Sequence, residues 1–246
     1  EKLTTISPSM NGDIAFGYSV EMYKSDPDIA YLVIGSPGIS LANGQIVSPG
    51  HCYIYRAFSS DFSSWEEIFS RTSNESASLL GIDVALDQTE SGLVMAVGEP
   101  SFLQNKGATW LYTGDATSET WTDLPSIGGE APGSFFGYSV DIEDKYVVSG
   151  APGQTAASQT GSAYVVALVN GELSQWHVLT PAAQDSFNSF GESVAITREG
   201  DKYRVAASIS GYRSGSGSVP SWTGSAVDMF TGKMQKDGLL GSMKSN

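Results

Sequence analysis

The sequence predicts an all-β fold made of repeated units, and three observations lead to this prediction. The pentapeptide F-G-Y-S-V occurs at Phe16–Val20 and at Phe136–Val140, and degenerate copies begin at Leu80 and Phe190. The glycines of the four copies lie at positions 17, 81, 137 and 191, which gives spacings of 64, 56 and 54 residues and marks a repeat architecture. Each unit contains short runs rich in Val, Ile, Tyr and Trp, typical of strands, and none shows a sustained helical period.

Each unit carries its apolar runs in the same order, and only the last unit lacks the fourth run. We expect four strands per unit because the runs have four to six residues and are bounded by Gly, Pro, Asn or Ser. The predicted strands are the first at 18–22, 82–86, 138–142 and 192–196, the second at 31–35, 93–98, 146–150 and 203–208, the third at 51–55, 108–112, 162–166 and 225–230, and the fourth at 65–69, 121–124 and 176–179.

A small antiparallel sheet with two apolar faces must pack between copies of itself, which predicts a β-propeller. The first strands alternate between a valine set (Val20, 84, 140 and 194) and a small polar set (Ser19, Asp83, Ser139 and Ser193), and we expect the polar set to line a wet central channel. The N-terminal run Lys2–Ile6 has the phase of a fourth strand. We therefore predict a propeller of four blades over residues 1–230, with this N-terminal strand completing the last blade, followed by a C-terminal tail at 231–246.

Composition limits the classes of partner. The chain has 246 residues and a net charge of −14, with 27 acidic against 13 basic residues, so no basic surface is available for nucleic acid or an anionic membrane. No run approaches the roughly 20 apolar residues of a membrane span. The single cysteine, Cys52, lies in an apolar run and is interpreted as a buried structural thiol.

The motifs resemble the FG-GAP repeat of integrin α-chain β-propellers and related extracellular proteins, over residues 13–230. The resemblance consists of F-G-x-S-V followed by G-x-P after the second strand, which reads G-S-P at Gly35, G-E-P at Gly98 and G-A-P at Gly150. It implies a secreted, cell-surface or lumenal propeller. The sequon at Asn74, a candidate glycosylation site, and the start at Glu1 instead of Met agree with that location.

The chain departs from the resembled family in two respects. Family propellers usually have seven blades, so four repeats form either a smaller ring or a piece of a larger one. The family's calcium loop is absent, because no connection reads D-x-D-x-D-G and only Asp26 and Asp28 approach it. We therefore expect no cofactor and no metal, with calcium the only ion that the resemblance would suggest.

No catalytic pattern stands out in the sequence. The two histidines, His51 and His177, have no partners at ligand spacing, and neither G-x-S-x-G nor a phosphate-binding glycine loop occurs. The acidic pairs Glu66/Glu67 and Glu143/Asp144 lie at strand ends and are interpreted as solvated turns. The sequence thus predicts that the protein is not an enzyme, although a triad assembled only in space stays open.

The resemblance places ligand contacts on the loops at 36–50, 99–107, 151–161 and 208–224. Aromatic and arginine side chains anchor interfaces, so the candidate partner-binding residues are Phe102, Leu103, Tyr212, Arg213 and Trp222, with Trp222 folded onto its own blade as the alternative. The predicted function is a non-catalytic adhesion or assembly module that binds a protein partner. The alternatives are a carbohydrate-binding propeller lectin and, third, a hydrolase.

Overall fold

Four antiparallel sheets follow one another along the chain. The computed structural model describes residues 4–9, 15–39, 48–58, 61–90, 92–115, 120–153, 160–181, 189–214, 221–233 and 243–245. Within these ranges every sheet is built from consecutive strands, each hydrogen-bonded to the next. The architecture is all-β and propeller-like, as the sequence predicts.

The strand bounds follow the predicted runs closely. Sheet 1 contains β1 (Ser19–Asp26), β2 (Ile29–Ser36), β3 (His51–Ala57) and β4 (Glu66–Thr72); sheet 2 contains β5 (Val84–Thr89), β6 (Gly92–Glu99), β7 (Ala108–Gly114) and β8 (Trp121–Asp123), with β9 (Ile127–Gly128) also paired to β7; sheet 3 contains β10 (Val140–Glu143), β11 (Tyr146–Ala151), β12 (Ser162–Val169) and β13 (Glu172–Leu179); sheet 4 contains β14 (Ser189–Glu199), β15 (Lys202–Ser214), β16 (Ser221–Lys233) and β17 (Lys244–Ser245).

Among the described residues the helical content is limited to α1 (Phe102–Asn105), in the loop between β6 and β7. Its interior does not have regular helical geometry, because Leu103 and Gln104 have φ values of 46° and 62°. No helix in the described part of the chain has the length and apolarity that a membrane crossing requires.

The core lies between consecutive sheets. Tyr31, Val33 and Ile54 of sheet 1 pack against Val84 and Met95 of sheet 2. A second cluster joins sheets 2 and 3, and a third joins sheets 3 and 4. Because the middle strands are buried on both sides, they are apolar without alternation, as in β6, where Leu93 to Val97 are all fully buried.

The first strands of neighbouring sheets also contact one another: β1 contacts β5, β5 contacts β10, and β10 contacts β14. Val84 and Val140 of the predicted valine set are buried and face the preceding sheet, whereas Val20 is exposed. The predicted wet channel for the polar set needs correction, because the Ser139 hydroxyl is buried and donates to the carbonyl of Gly191 at 2.9 Å. The side chains of Ser19, Asp83 and Ser139 instead form hydrogen bonds to the next sheet, whereas Ser193 is exposed.

Two glycines at the interface between sheets 2 and 3 are required by close approach of the backbones. A Cβ at Gly137, whose φ is +81°, would lie 2.2 Å from the carbonyl oxygen of Ala108 in the preceding sheet. A Cβ at Gly98 would lie 1.9 Å from the carbonyl oxygen of Gly137. The F-G glycine and the G-x-P glycine therefore meet across the interface between two sheets, where no side chain fits.

The last sheet is not completed as the sequence predicts. Its fourth strand is β17 of the C-terminal segment, in which Lys244 and Ser245 pair with β16. Of the N-terminal run, residues 4–6 form no strand, and Ile6 packs against sheet 1 beside Tyr53 and Tyr55. Residues 1–3 lie outside the described residues. Closure of the ring by the N-terminal run is therefore not confirmed, because nearby C-terminal residues occupy the edge of β16.

Candidate functional site

Acidic side chains recur on the first strands, two, four or six residues after the F-G glycine. Glu21 lies on β1. Asp83 lies just before β5 and Asp87 lies within it, and Asp141 and Glu143 lie on β10. Side chains at alternate positions project to the same face of a strand. These carboxylates therefore lie near one another where the first strands meet.

Three of the carboxylates join one sheet to the next by accepting main-chain hydrogen bonds. Asp83 accepts from the amide of Val140 at 2.8 Å, and Asp87 accepts from the amide of Asp144 at 2.8 Å. Asp141 repeats the arrangement one sheet later, with the amide of Ile196 at 2.7 Å. A first strand has one unpaired edge, and an unpaired buried amide is costly. The acid of the preceding sheet satisfies that edge.

Burial sets the protonation of this group. Burial raises the pKa of Asp83 to about 6, despite the opposing hydrogen bonds from the amides of Val140 and Val84. The pKa values of Asp87 and Asp141 are raised for the same reason, again against two amide hydrogen bonds each. Desolvation disfavours the charged form more than the hydrogen bonds favour it.

Glu21 and Glu143 differ from these three, because no hydrogen bond to either carboxylate is described. Burial raises the pKa of Glu21, and the carboxylates of Asp141 and Asp87 raise it further. Burial and the same two aspartates raise the pKa of Glu143, while the guanidinium of Arg198 lowers it. Shared electrostatic partners, Asp87 and Asp141, place both glutamates in one acidic region.

A fixed charge network borders this region on sheet 4. The guanidinium of Arg198 donates to the carboxylate of Asp144 at 2.7 Å, and the hydroxyl of Tyr203 donates to the same oxygen at 2.6 Å. Tyr203 is buried, and its ring packs edge-on against Tyr146 with centroids 4.7 Å apart. Asp144 is thus held in place, and the positive charge of Arg198 acts on Glu143.

A cleft of about 420 Å³ opens between sheets 3 and 4, at the start of β10. Its mainly apolar wall includes Phe135, Tyr138 and Pro152, and a single carboxylate, Glu192, lines it. Burial, followed by the negative charge of Glu192, raises the pKa of Tyr138. The cleft combines aromatic rings with the carboxylate of Glu192. The strand β10, which begins just after Tyr138, carries Asp141 and Glu143.

The partner-binding residues predicted in sheet 2 are only partly available. Phe102 is half-buried and packs edge-on against Trp110, with centroids 5.3 Å apart. Leu103 is exposed, and its amide donates to the carboxylate of Glu75 at 3.1 Å. The apolar surface of this loop is therefore mainly that of Leu103.

The predicted loop at 208–224 is largely a β-hairpin. β15 continues to Ser214 and β16 begins at Ser221, so Tyr212 pairs with Gly224 and Arg213 pairs with Trp222 in the ladder. Residues 215–220 lie outside the described residues. The structure places the backbones of these three candidates on one hairpin of sheet 4. Their role in binding stays a prediction.

Two other predicted features lie on exposed turns. Asn74 is exposed in a bend after β4, a position open to glycosylation, which stays a prediction together with the extracellular or lumenal location. The amide of Asp28 donates to the carboxylate of Asp26 at 3.4 Å in the β1–β2 turn. Within the described ranges, no group of three or more His, Cys, Asp or Glu side chains is arranged to hold a metal ion.

Sequence reasoning missed the group of carboxylates on the first strands. It interpreted Glu143 and Asp144 as solvated turn residues and Asp83 as one small polar residue of a channel. The available signal was the position of the acids, which fall at even offsets from the F-G glycine in three units. Their convergence depends on how neighbouring sheets pack against one another, and no single unit contains that information.

Comparison with known proteins supports the repeat assignment and the fold. A family model described as FG-GAP repeat matches residues 129–166, so the chain contains an FG-GAP repeat, as the motifs indicate. A search of curated proteins finds no match. Among solved structures, the GH93 α-L-arabinofuranosidase of Fusarium graminearum in complex with arabinobiose matches with a TM-score of 0.54 at 11% identity, over 94% of this chain and 66% of that chain.

A mutant of the α-L-arabinofuranosidase Arb93A of Fusarium graminearum, in complex with an iminosugar inhibitor, matches with a TM-score of 0.52 at 11% identity, over 93% of this chain and 69% of that chain. The chain thus spans about two thirds of the length of these structures. At this identity the likeness shows the fold alone. It nevertheless overturns the predicted non-catalytic adhesion or assembly module, because these structures with the same type of fold are glycoside hydrolases.

Proposed function

We propose that the four sheets are successive blades of one propeller, and that the carboxylates of their first strands form a site for the hydrolysis of glycosidic bonds. The observation that carries the proposal is the convergence of Glu21, Asp87, Asp141 and Glu143, each with a raised pKa and each coupled to others of the group. Glycoside hydrolysis generally uses two carboxyl groups, one protonated and one ionised.

The charges that act on Glu21 and Glu143 differ, and we assign the two roles from this difference. Glu21 is the proton donor to the glycosidic oxygen, because burial and the nearby aspartates keep its carboxyl protonated to a higher pH than usual. Glu143 is assigned as the ionised partner, acting on water or directly on the sugar, because Arg198 opposes part of the rise in its pKa, whereas every cause acting on Glu21 raises the pKa of that carboxyl. Asp87 and Asp141 supply the field and hold the strands in register.

The cleft beside β10 fits a sugar unit. The rings of Phe135 and Tyr138 offer an apolar surface for the face of a sugar ring, and the carboxylate of Glu192 can accept hydrogen bonds from the sugar hydroxyls. The likeness to arabinofuranosidases supports a furanoside polysaccharide as the first substrate to test. The net charge of −14 disfavours acidic polysaccharides.

The test is the release of 4-nitrophenol from a panel of aryl glycosides, including the α-L-arabinofuranoside, and of reducing sugar from arabinan. Glu21→Gln and Glu143→Gln should each lower kcat about 100-fold or more, since each removes a proton-transfer or nucleophilic group. Glu90→Gln is the matched control, because Glu90 is an exposed acid in the β5–β6 turn. Turnover that survives both substitutions, or its absence on every glycoside, would contradict the proposal.

The pH profile gives a second readout. Activity should fall at low pH as Glu143 becomes protonated and at high pH as Glu21 ionises. Both limbs should lie above the ordinary pKa of a glutamate, because both values are raised. Glu21→Gln should remove the alkaline limb from the residual activity and leave the acid limb in place.

A further inference from the structure

In the described part of the chain, no other sheet covers the leading face of sheet 1, defined here by Gly17, Val20 and Met22. Val20 and Met22 are 57% and 61% exposed. The equivalent residues of sheet 3, Val140 and Ile142, are 5% and 6% exposed because they pack against sheet 2. Exposing two large apolar side chains on an otherwise paired strand indicates an interface.

The backbone at Gly17, the glycine of this face, also has no neighbouring sheet packed against it. A Cβ at Gly81, Gly137 or Gly191 would meet the third-strand carbonyl of the preceding sheet at 2.3, 2.2 or 2.5 Å. A Cβ at Gly17 would meet nothing within 4 Å, although its φ of +82° is the same as in the other copies. Sheet 1 thus has the backbone conformation that elsewhere accommodates a preceding sheet.

Sheet 4 does not provide the missing neighbour. The contacts that join the first strands of successive sheets have no counterpart between β14 and β1 in the described residues. Its pairing pattern places Ser208 where sheets 1 to 3 have the G-x-P glycine, since Val194 pairs with Ala207 as Val140 pairs with Ser149. A Cβ at that position of sheets 1 to 3 would lie within about 2 Å of the next sheet's glycine carbonyl (2.1, 1.9 and 1.9 Å).

The first strand of sheet 4 also lacks the aspartates that join sheet 2 to sheet 3 and sheet 3 to sheet 4. The positions from which Asp83, Asp87 and Asp141 satisfy the next strand are occupied in sheet 4 by Ser193, Thr197 and Ala195, respectively. Sheet 4 thus has no carboxylate at these three positions. A second copy of the chain placed head to tail would present the same face, without the glycine and without the acids.

We propose that the leading face of sheet 1 is the docking face for a further blade of the same repeat type, one that carries the G-x-P glycine and first-strand aspartates. Its glycine would lie against Gly17, its apolar residues would cover Val20 and Met22, and its carboxylate would accept from the main-chain amide of Val20, as Asp83 does from Val140. The N-terminal segment has a matching phase: Ile6 precedes Phe16 by 10 residues, and Ile127 of β9, which pairs with the preceding sheet, precedes Phe136 by 9.

The experiment uses methionine oxidation by peroxide, measured by peptide mass spectrometry. A copy of residues 73–124, which contains Gly98, Asp83 and Asp87, is fused ahead of Glu1 of the full chain. Oxidation of Met22 should slow roughly ten-fold compared with the unmodified chain, because the new blade covers it. Met95, which is fully buried, is the internal standard, and its counterpart in the added copy reports whether that copy has folded.

The matched control is a fusion of residues 181–246, the unit with Ser208 and without aspartates at the equivalent first-strand positions, which should leave Met22 reactive. A fusion of residues 129–180, with Gly150 and Asp141, repeats the test with a second competent unit. Protection by either competent unit and not by the control supports the proposal. Reactive Met22 in both competent fusions, equal protection by the control, or protection in the unmodified chain with a mass that is a multiple of 26.0 kDa would each overturn it.

Discussion

The same five residues, F-G-Y-S-V, begin sheet 1 and sheet 3 and adopt the same local structure. In both copies the glycine amide donates to the carbonyl of the G-x-P glycine, from Gly17 to Gly35 at 3.1 Å and from Gly137 to Gly150 at 2.9 Å. In both copies the glycine φ is close to +82°. The pentapeptide therefore determines the turn and the pairing of the second strand.

The two copies differ in what surrounds them. Val140 lies in a cluster with residues of sheet 2, while Val20 is exposed to solvent. Asp83 satisfies the amide of Val140, and no described carboxylate does so for Val20. An identical sequence thus contributes to the core in one place and to a surface in the other, because burial depends on the adjacent sheet.

The largest expected effect separates these two copies directly. Val140→Asp should destabilise the protein by about 3 kcal/mol or prevent folding, because it buries an unpaired charge. Val20→Asp should change the free energy of unfolding by less than about 0.5 kcal/mol, as at other surface sites. Urea unfolding followed by tryptophan fluorescence measures both. Equal losses would mean that Val20 is covered in solution.

The glycines give the next largest contrast. Gly17→Ala and Gly137→Ala each force a left-handed backbone on alanine, which costs about 1 kcal/mol. Gly137→Ala should cost at least twice as much, because its Cβ would also lie 2.2 Å from the carbonyl of Ala108. Thermal unfolding of the two variants measures the difference. Matching melting temperatures would contradict the close approach of sheets 2 and 3.

The inter-sheet carboxylate predicts a pH dependence of intermediate size. The pKa of Asp83 is about 6 in the folded protein and near 3.8 when unfolded, so the folded state holds a proton that the unfolded chain has released between these values. The free energy of unfolding should therefore decrease as the pH rises from about 4 to 6. Asp83→Asn should flatten this slope, which urea titrations at several pH values would measure. Asp28→Asn removes one charge on an exposed turn and is the control.

The serines of the two pentapeptides should show the smallest contrast. The hydroxyl of Ser139 donates to Gly191 and is buried, while that of Ser19 donates to Gly81 at 3.0 Å and is only partly buried. Ser139→Ala should cost about 1 kcal/mol, and Ser19→Ala somewhat less, because solvent can replace the lost donor there. Denaturant midpoints measure both. A larger loss of stability for Ser19→Ala would contradict this, because it would mean that water has less access to the Ser19–Gly81 hydrogen bond than to the Ser139–Gly191 bond.

Much of the fold was accessible from the sequence, because the signals are local. Strand runs, the F-G turns and the buried thiol of Cys52 each depend on a few neighbouring residues, and the structure contains all of them. The partner of β16 could not be predicted in this way. The N-terminal run and the C-terminal segment both have suitable residues, and the structure selects Lys244–Ser245. The candidate site was also missed, since its carboxylates come from three sheets.

The sequence alone was sufficient for the repeat, the strands within each unit and the glycines at their junctions, because hydrogen bonding within a sheet and backbone sterics act over short distances. Only the tertiary structure decided which faces are buried, which aspartates satisfy the neighbouring strand and where an acidic region forms. These properties depend on desolvation and on charges contributed by residues about 55 positions apart, such as Asp141 and Ile196. Their effect exists only once one sheet lies against the next.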